Sequence, residues 1–220
     1  MQVTPAVWPG VVRDLYFGYV AGSMTENTAK LILASQSPRR LELLKQITEQ
    51  FEVVPSSVEE KLDYGLRPEE NARQLARAKA ENVAKNYPDC WVIGADTIVA
   101  LHQEILGKPE DVPDAQRILR RLSGKEHRVM TGICVVSPRK TLDKAVTSSV
   151  RFKSLTDEEI SNYIQTGEPM DKAGAYAIQG KGSFMIQEFS GSKSNIIGLP
   201  LDELKVLLKK TGFLQDHVSE

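Results

Sequence analysis

The chain has 220 residues, 41% hydrophobic and 26% charged, with a formal net charge of -1 at neutral pH. That is enough chain for one large or two-lobed domain of ordinary globular composition. It is too close to neutrality for a global field to draw in nucleic acid or an anionic membrane, so any bound anion must be held by local cations.

Residues 1–23, "MQVTPAVWPGVVRDLYFGYVAGS", lack the basic start and clean apolar run of a signal peptide. They read as a leader or upstream extension before a second start at Met24, and the fold is expected in residues 24–220 as one domain. From Lys30 strand and helix signals alternate. "KLILAS" is a short apolar run that suits a buried strand. In "SPRRLELLKQI", Leu41, Leu43, Leu44 and Ile47 form a helical stripe, with Ser37 at the N-cap and Pro38 at the first helical position. "FEVVPS" is a second strand, stopped by Pro55. "RPEENARQLARAKAENVAKNY" predicts a long helix with Ala72, Leu75, Ala76, Ala80 and Val83 on one face. "CWVIGADTIVAL" is the most apolar run and suits a central strand, where Gly94 marks a bulge or a close backbone approach.

Further on, "VPDAQRILRRLSG" predicts a helix opened by Pro113 and closed by Gly124. "HRVMTGICVVS" and "KAVTSSVRFKSL" predict two adjacent strands, the second half exposed. "SLTDEEISNYIQTG" predicts a helix whose Thr156 and Glu159 fit a capping box. "GSFMIQEFSG" predicts a strand, and "LPLDELKVLLKKTG" a last amphipathic helix with a glycine stop. The alternation indicates an α/β fold on a mostly parallel or mixed sheet, with antiparallel pairing in the middle. No run is long enough to span a membrane. The two cysteines, Cys90 and Cys134, sit in apolar stretches and read as free thiols in a reducing cytoplasm. Neither cysteine has metal-ligand spacing to a second one and the three histidines are scattered, which argues against a zinc site.

Ligands of open α/β sheets collect at the carboxyl ends of strands. After the first strand come Ser35, Ser37, Arg39 and Arg40. Serine hydroxyls, arginine forks and a helix N-terminus favour phosphate; the plainer alternative is a capped helix with solvated arginines. No glycine-rich cradle is present, which excludes a Walker A loop and a dinucleotide fingerprint. Asp96 and Thr97 interrupt the most apolar strand. A carboxylate there is costly unless paired or bound to a cation; it either caps a strand end, ligates a divalent metal or serves as a base. Glu60 lies in the acidic loop "SSVEEKLD", ordinarily a solvated loop. If it faces Asp96, the two make a hard-cation site. Lys79 in "ARAKA" and Lys108 in "LGKP" are either surface lysines or counterions for a polyphosphate. A lysine beside Asp96 is expected to lower its pKa. The glycine-dense "GEPMDKAGAYAIQGKGS" carries Asp171, Lys172, Tyr176 and Gln179, and an amide such as Gln179 can read a base edge.

Taken in order, "SQSPRR", "ARAKA", "GADTIV", "LGKP", "LSGKEHRVMTG" and "GEPMDKAGAYAIQG" resemble the Maf proteins, nucleoside triphosphate pyrophosphatases related in fold to the inosine triphosphatases. The resemblance runs from Lys30 to the final helix. It implies a two-lobed mixed sheet flanked by helices, with a nucleotide cleft between the lobes. It implies metal-dependent hydrolysis of a nucleoside triphosphate to the monophosphate and pyrophosphate, with Mg²⁺ or Mn²⁺ as cofactor, and a cytoplasmic homodimer. Carried over by position, Ser35 and Arg40 grip phosphate, Lys79 and Lys108 face it, Glu60 is a metal or water ligand, and Asp96 is the proton acceptor and metal ligand. Arg39, Thr97 and Gln179 match the dTTP/UTP branch rather than a sister branch that prefers 7-methyl-GTP. Ala177 stands where the family more often has glycine, which implies a slightly narrower pocket. The same reaction on 7-methyl-GTP or a modified nucleotide, and a non-catalytic role in septum regulation, are the alternatives the resemblance leaves.

Overall fold

The computed structural model describes residues 30–215. The reading of residues 1–23 as a leader lies outside them. β1 (Leu31–Leu33) is fully buried and runs parallel to both β2 (Glu52–Val53) and β3 (Trp91–Leu101). Between them lie α1 (Pro38–Leu44), where the Ser37 side chain accepts the Arg40 backbone N–H as an N-cap, and α2 (Pro68–Ala84). β4 (Glu104–Leu106) folds back on β3, and α3 (Val112–Leu122) follows with Asp111 as its N-cap. The long strands β5 (Glu126–Val136) and β6 (Thr141–Phe152) pair antiparallel. α4 (Asp157–Ile164) opens with the Thr156–Glu159 capping box that the sequence predicts. β7 (Ile186–Ser190), α5 (Lys193–Ile197) and α6 (Leu201–Thr211) close the order. The seven-stranded sheet has the order β2-β1-β3-β5-β6-β7, with β4 on β3. It is mixed, as expected, but parallel only around β1. No helix among the described residues is long and apolar enough to cross a membrane.

Alternate residues of β3 face opposite sides of the sheet. Toward α2 point Val92, Gly94, Asp96, Ile98 and Ala100. Gly94 marks a close approach rather than a bulge. A Cβ there would lie 2.2 Å from the Ala76 carbonyl oxygen, and one at Gly132 on β5 would lie 2.0 Å from that of Ala72. These two glycines let α2 lie directly on the sheet, and its buried face carries Ala72, Leu75, Ala76, Ala80 and Val83 as the pattern predicts.

On the opposite face two cores divide the molecule. One gathers Leu31, Leu33, Ile93, Ala95, Ile133 and Val135 under α1 and α6. The other gathers Val99, Val129, Val150 and Phe152 under α3, α4 and the segment from Ala173 to Met185. Between them on the paired strands sit Thr97 and Thr131, directly opposite in register. A polar waist therefore separates two apolar lobes.

The structure differs from the sequence reading in a few short elements. β2 has two residues rather than six, because both of its residues are exposed and nothing beyond β1 supports it. β4 and α5 were not expected. Three and five residues are too short to show periodicity, and the turn before β4 depends on His102 in the left-handed region, φ 57°. Residues Gly180–Met185 form a 3₁₀ turn instead of starting the last strand, with Gly180 at φ 85°.

Candidate functional site

The site arises from a gap in the sheet. β1 pairs with β3 only at residues 91–93, and β4 pairs with the same edge only at Val99–Leu101. Between them residues 94–98 have β5 on one side and, among the described residues, no strand on the other. Asp96 points toward α2 and Thr97 toward the waist, so an opening at this edge reaches both faces. A cavity of about 420 Å³ lies there. It is lined by all nine residues that the family resemblance implies for the site: Ser35, Arg39, Arg40, Glu60, Lys79, Asp96, Thr97, Lys108 and Gln179. The segments that carry them are as far apart as residues 35 and 179, and they meet only in the folded chain.

Each wall has its own chemistry. At the carboxyl end of β1, the Arg40 side chain folds inward and is partly buried. Its Nε donates to the Gly198 carbonyl oxygen at 2.9 Å, Nη1 to Ser35 Oγ at 3.3 Å and Nη2 to Thr97 Oγ1 at 3.1 Å. A guanidinium has five N–H groups, so one on each terminal nitrogen is left to form a fork. Arg39 is a third exposed and pairs loosely with Asp171 across the cavity mouth, at 3.8 Å. Lys108, more than half exposed, reaches in from the loop after β4.

Across from Arg40, the ammonium of Lys79 on α2 donates to Asp96 Oδ1 at 2.6 Å and to Glu60 Oε1 at 2.5 Å. Lys108 stands 3.6 Å from the other oxygen of Glu60. One cation therefore serves two carboxylates whose surroundings differ. Burial pushes the Asp96 carboxyl above its ordinary range and outweighs the pull of Lys79 and Arg40. Lys79 does pull it down, as expected of a lysine there, but the Asp96 side chain is only 9% exposed and desolvation is the larger effect. For Glu60 burial also pushes up, but it is half exposed, and the bond and charge of Lys79, aided by Lys108 and Arg40, bring it below the ordinary value.

The residues fit a divalent cation in one way. Two carboxylates converge on a point where a cationic group already sits, and both offer the hard oxygen ligands that Mg²⁺ or Mn²⁺ accepts. Among the described residues no cluster of three or more His, Cys, Asp or Glu could hold a metal. Glu60 and Asp96 would thus share the ion with oxygens of a bound phosphate, the usual arrangement for Mg²⁺.

Part of the cavity wall is apolar. Val99, Val129, Ile178, Ile196 and Ile197 line it with Tyr176 and Ala177, and Gln179 stands exposed at its rim. Of these, the sequence reading singled out Tyr176, Ala177 and Gln179. The aliphatic wall carried no signal of its own, since valines and isoleucines in strands read as core. Thr131 and Asn195 behind the cavity were missed altogether, as a buried hydroxyl and a buried amide look like any other polar residue until their partners are known.

A family model described as Maf-like protein matches residues 30–211. A dTTP/UTP pyrophosphatase of Geotalea uraniireducens is 48% identical over 194 residues, 87% of this chain and 100% of that protein. One from Aquifex aeolicus is 45% identical over 185 residues, covering 84% of this chain and 97% of its own length. Among solved structures, the Staphylococcus aureus Ham1 protein aligns with a TM-score of 0.49 at 18% identity, covering 82% of this chain and 98% of that one.

Proposed function

The chain belongs to the Maf family, and from that premise we propose that it hydrolyses dTTP and UTP between the α and β phosphates, giving the monophosphate and pyrophosphate. The observation that carries this reading is one cavity lined by cations, by a pair of carboxylates, and by aliphatic side chains with an exposed amide. A triphosphate needs the first two and a pyrimidine the third.

In this reading the open fork of Arg40, with Ser35 and Lys108, holds the phosphates, and Lys79 offsets their charge. Glu60 and Asp96 would hold a divalent metal, which would supply further charge neutralisation. The two carboxylates divide the remaining work because their surroundings push their proton affinities apart. Glu60 stays ionised. Asp96, which lines the cavity beside Thr97, is the base in this reading: it takes a proton from the water whose oxygen bonds to the α phosphorus, as the α–β anhydride bond breaks and pyrophosphate leaves with the bonding electrons. Gln179, with one acceptor and two donors, can pair with the carbonyl and N–H of a thymine or uracil edge. The partner is a free nucleotide rather than nucleic acid or membrane, and the enzyme is a cytoplasmic homodimer.

The test is a panel of nucleoside triphosphates incubated with the protein and Mg²⁺, read as pyrophosphate release. dTTP and UTP should give the highest kcat/KM, and chelation should abolish release. Faster turnover of 7-methyl-GTP would overturn the substrate assignment, and no release from any nucleotide would overturn the reaction.

A further inference from the structure

The hydroxyls behind Arg40 form a chain with a fixed direction. Thr131 Oγ1 donates to the backbone carbonyl oxygen of Asn195 at 2.9 Å, and a carbonyl can only accept. A threonine has one hydroxyl proton, and that of Thr131 is now committed. In the 3.0 Å contact between Thr97 Oγ1 and Thr131 Oγ1 the donor must then be Thr97. With its own proton spent, Thr97 faces Arg40 with lone pairs and accepts from Nη2. The direction of every link follows from the first.

The chain closes on itself. Asn195 sits on α5, fully buried, and its side chain accepts from the Thr131 N–H at 3.2 Å and donates to Val129 O at 3.0 Å and Ser148 Oγ at 2.9 Å. α5 ends at Gly198, whose carbonyl oxygen accepts from Arg40 Nε. Gly198 adopts φ 125°, and a Cβ there would lie 3.2 Å from Thr97 Oγ1, so glycine is needed to aim that carbonyl. Arg40, Thr97, Thr131 and α5 thus form one ring across the waist. Neither Thr131 nor Asn195 lines the cavity.

We infer that Thr131 is a positioning residue for Arg40, acting through Thr97, and that Thr97 serves this site as an acceptor for the arginine rather than as a donor to bound nucleotide. The inference rests on the proposed function only where it touches turnover; the ring itself is independent of it. Without the Thr131 hydroxyl, Thr97 loses the acceptor for its proton and turns, and Arg40 keeps two of its three anchors. The fork that faces the cavity then samples several orientations.

The experiment compares Thr131→Val with Thr131→Ser in two assays. The first is the ¹⁵N–¹H resonance of the Arg40 Nη2 group, which donates to Thr97, assigned by its loss in Arg40→Lys. It should be slowly exchanging in the parent protein and in Thr131→Ser, and broadened by fast exchange in Thr131→Val. The second is dTTP turnover. Thr131→Val should raise KM about tenfold, the loss of roughly one ordinary hydrogen bond's net contribution, with kcat changed less than about threefold. Thr131→Ser should stay within about twofold of the parent. In an Arg40→Lys background, Thr131→Val should add less than about twofold, since the fork it orients is gone. An unchanged Arg40 resonance in Thr131→Val, an equal loss in Thr131→Ser, or full additivity with Arg40→Lys would each overturn the inference. If Thr131→Val does not fold, Thr131→Ala removes the hydroxyl without added bulk and is read in the same way. Absence of turnover in the parent protein would count against the proposed function alone, and the resonance would still decide the ring.

Discussion

At the scale of single residues the site turns on one lysine between two acids. Lys79 sits 2.6 Å from Asp96 and 2.5 Å from Glu60, yet the acids respond in opposite directions because one is buried and the other half exposed. Asp96→Asn keeps the shape and the hydrogen-bond acceptor but cannot take a proton. It should lower kcat by at least about a hundredfold, the usual contribution of a positioned base, while a non-hydrolysable dTTP analogue still binds within a few-fold. Calorimetry and turnover assays together check this; full activity would remove Asp96 from the mechanism. The pH dependence follows from the same burial. A base works only when ionised, and the Asp96 carboxyl is raised, so activity should fall on acidification at a pH above the ordinary aspartate value of about 3.9. An acid limb at or below that value in kcat/KM would contradict the assignment.

At the scale of elements, two contacts set the geometry. α2 brings Lys79 to Asp96 only because Gly94 and Gly132 let the helix lie against the strands. Gly94→Ala would place a methyl 2.2 Å from backbone oxygen, which a rigid helix cannot avoid. Unfolding in urea should show a loss of about 3 kcal/mol or more, the upper range for overpacking, with activity reduced as α2 moves. Gly107→Ala is the control, as a methyl there meets nothing within 4 Å. It should change stability by less than about 0.5 kcal/mol. The second contact is on β5 and β6, where His127 and Phe152 pack edge-on against Tyr176, and His127 Nε2 lies 2.8 Å from the tyrosine hydroxyl. This cluster backs the cavity wall that Tyr176 forms. Burial lowers the His127 pKa from 6.5 to about 4. The folded state thus resists a proton that the unfolded chain accepts. Stability is fully present above about pH 6.5 and is lost as the pH falls toward 4. His127→Gln keeps a polar partner for Tyr176 and does not titrate. Between pH 7 and 5 the parent should lose roughly 2 kcal/mol more than this variant in urea titrations; parallel losses would mean that His127 is not buried neutral.

At the scale of the whole molecule, the cavity lies across the waist between two cores. Ser35 and Arg40 come from the lobe under α1 and α6, whereas Lys108 and Gln179 come from the lobe under α3 and α4. A triphosphate that touches both sets of residues ties the lobes together and binds only the folded chain. At a hundred times its dissociation constant, a non-hydrolysable dTTP analogue should therefore add about 2.7 kcal/mol to stability. The corresponding rise in Tm should disappear when Arg40 is replaced by glutamine. An unshifted Tm at that concentration would mean that the cavity does not hold the nucleotide. How much of this was readable in advance depends on the range of the forces involved. Local forces act within a few residues, so the run Leu31–Leu33, the cap at Ser37, the apolar face of α2, the capping box at Thr156 and the need for glycine at Gly94 were all legible in the amino-acid order, as were the residue types of the site. β4 and α5 were not, being too short for their own pattern and held by the strands they pack on. The open edge of β3, the opposed proton affinities of Asp96 and Glu60, and the ring through Thr131 and Asn195 belong to tertiary structure alone. Burial, charge and hydrogen-bond direction at those residues are set by neighbours from 17 to 158 positions away in the chain.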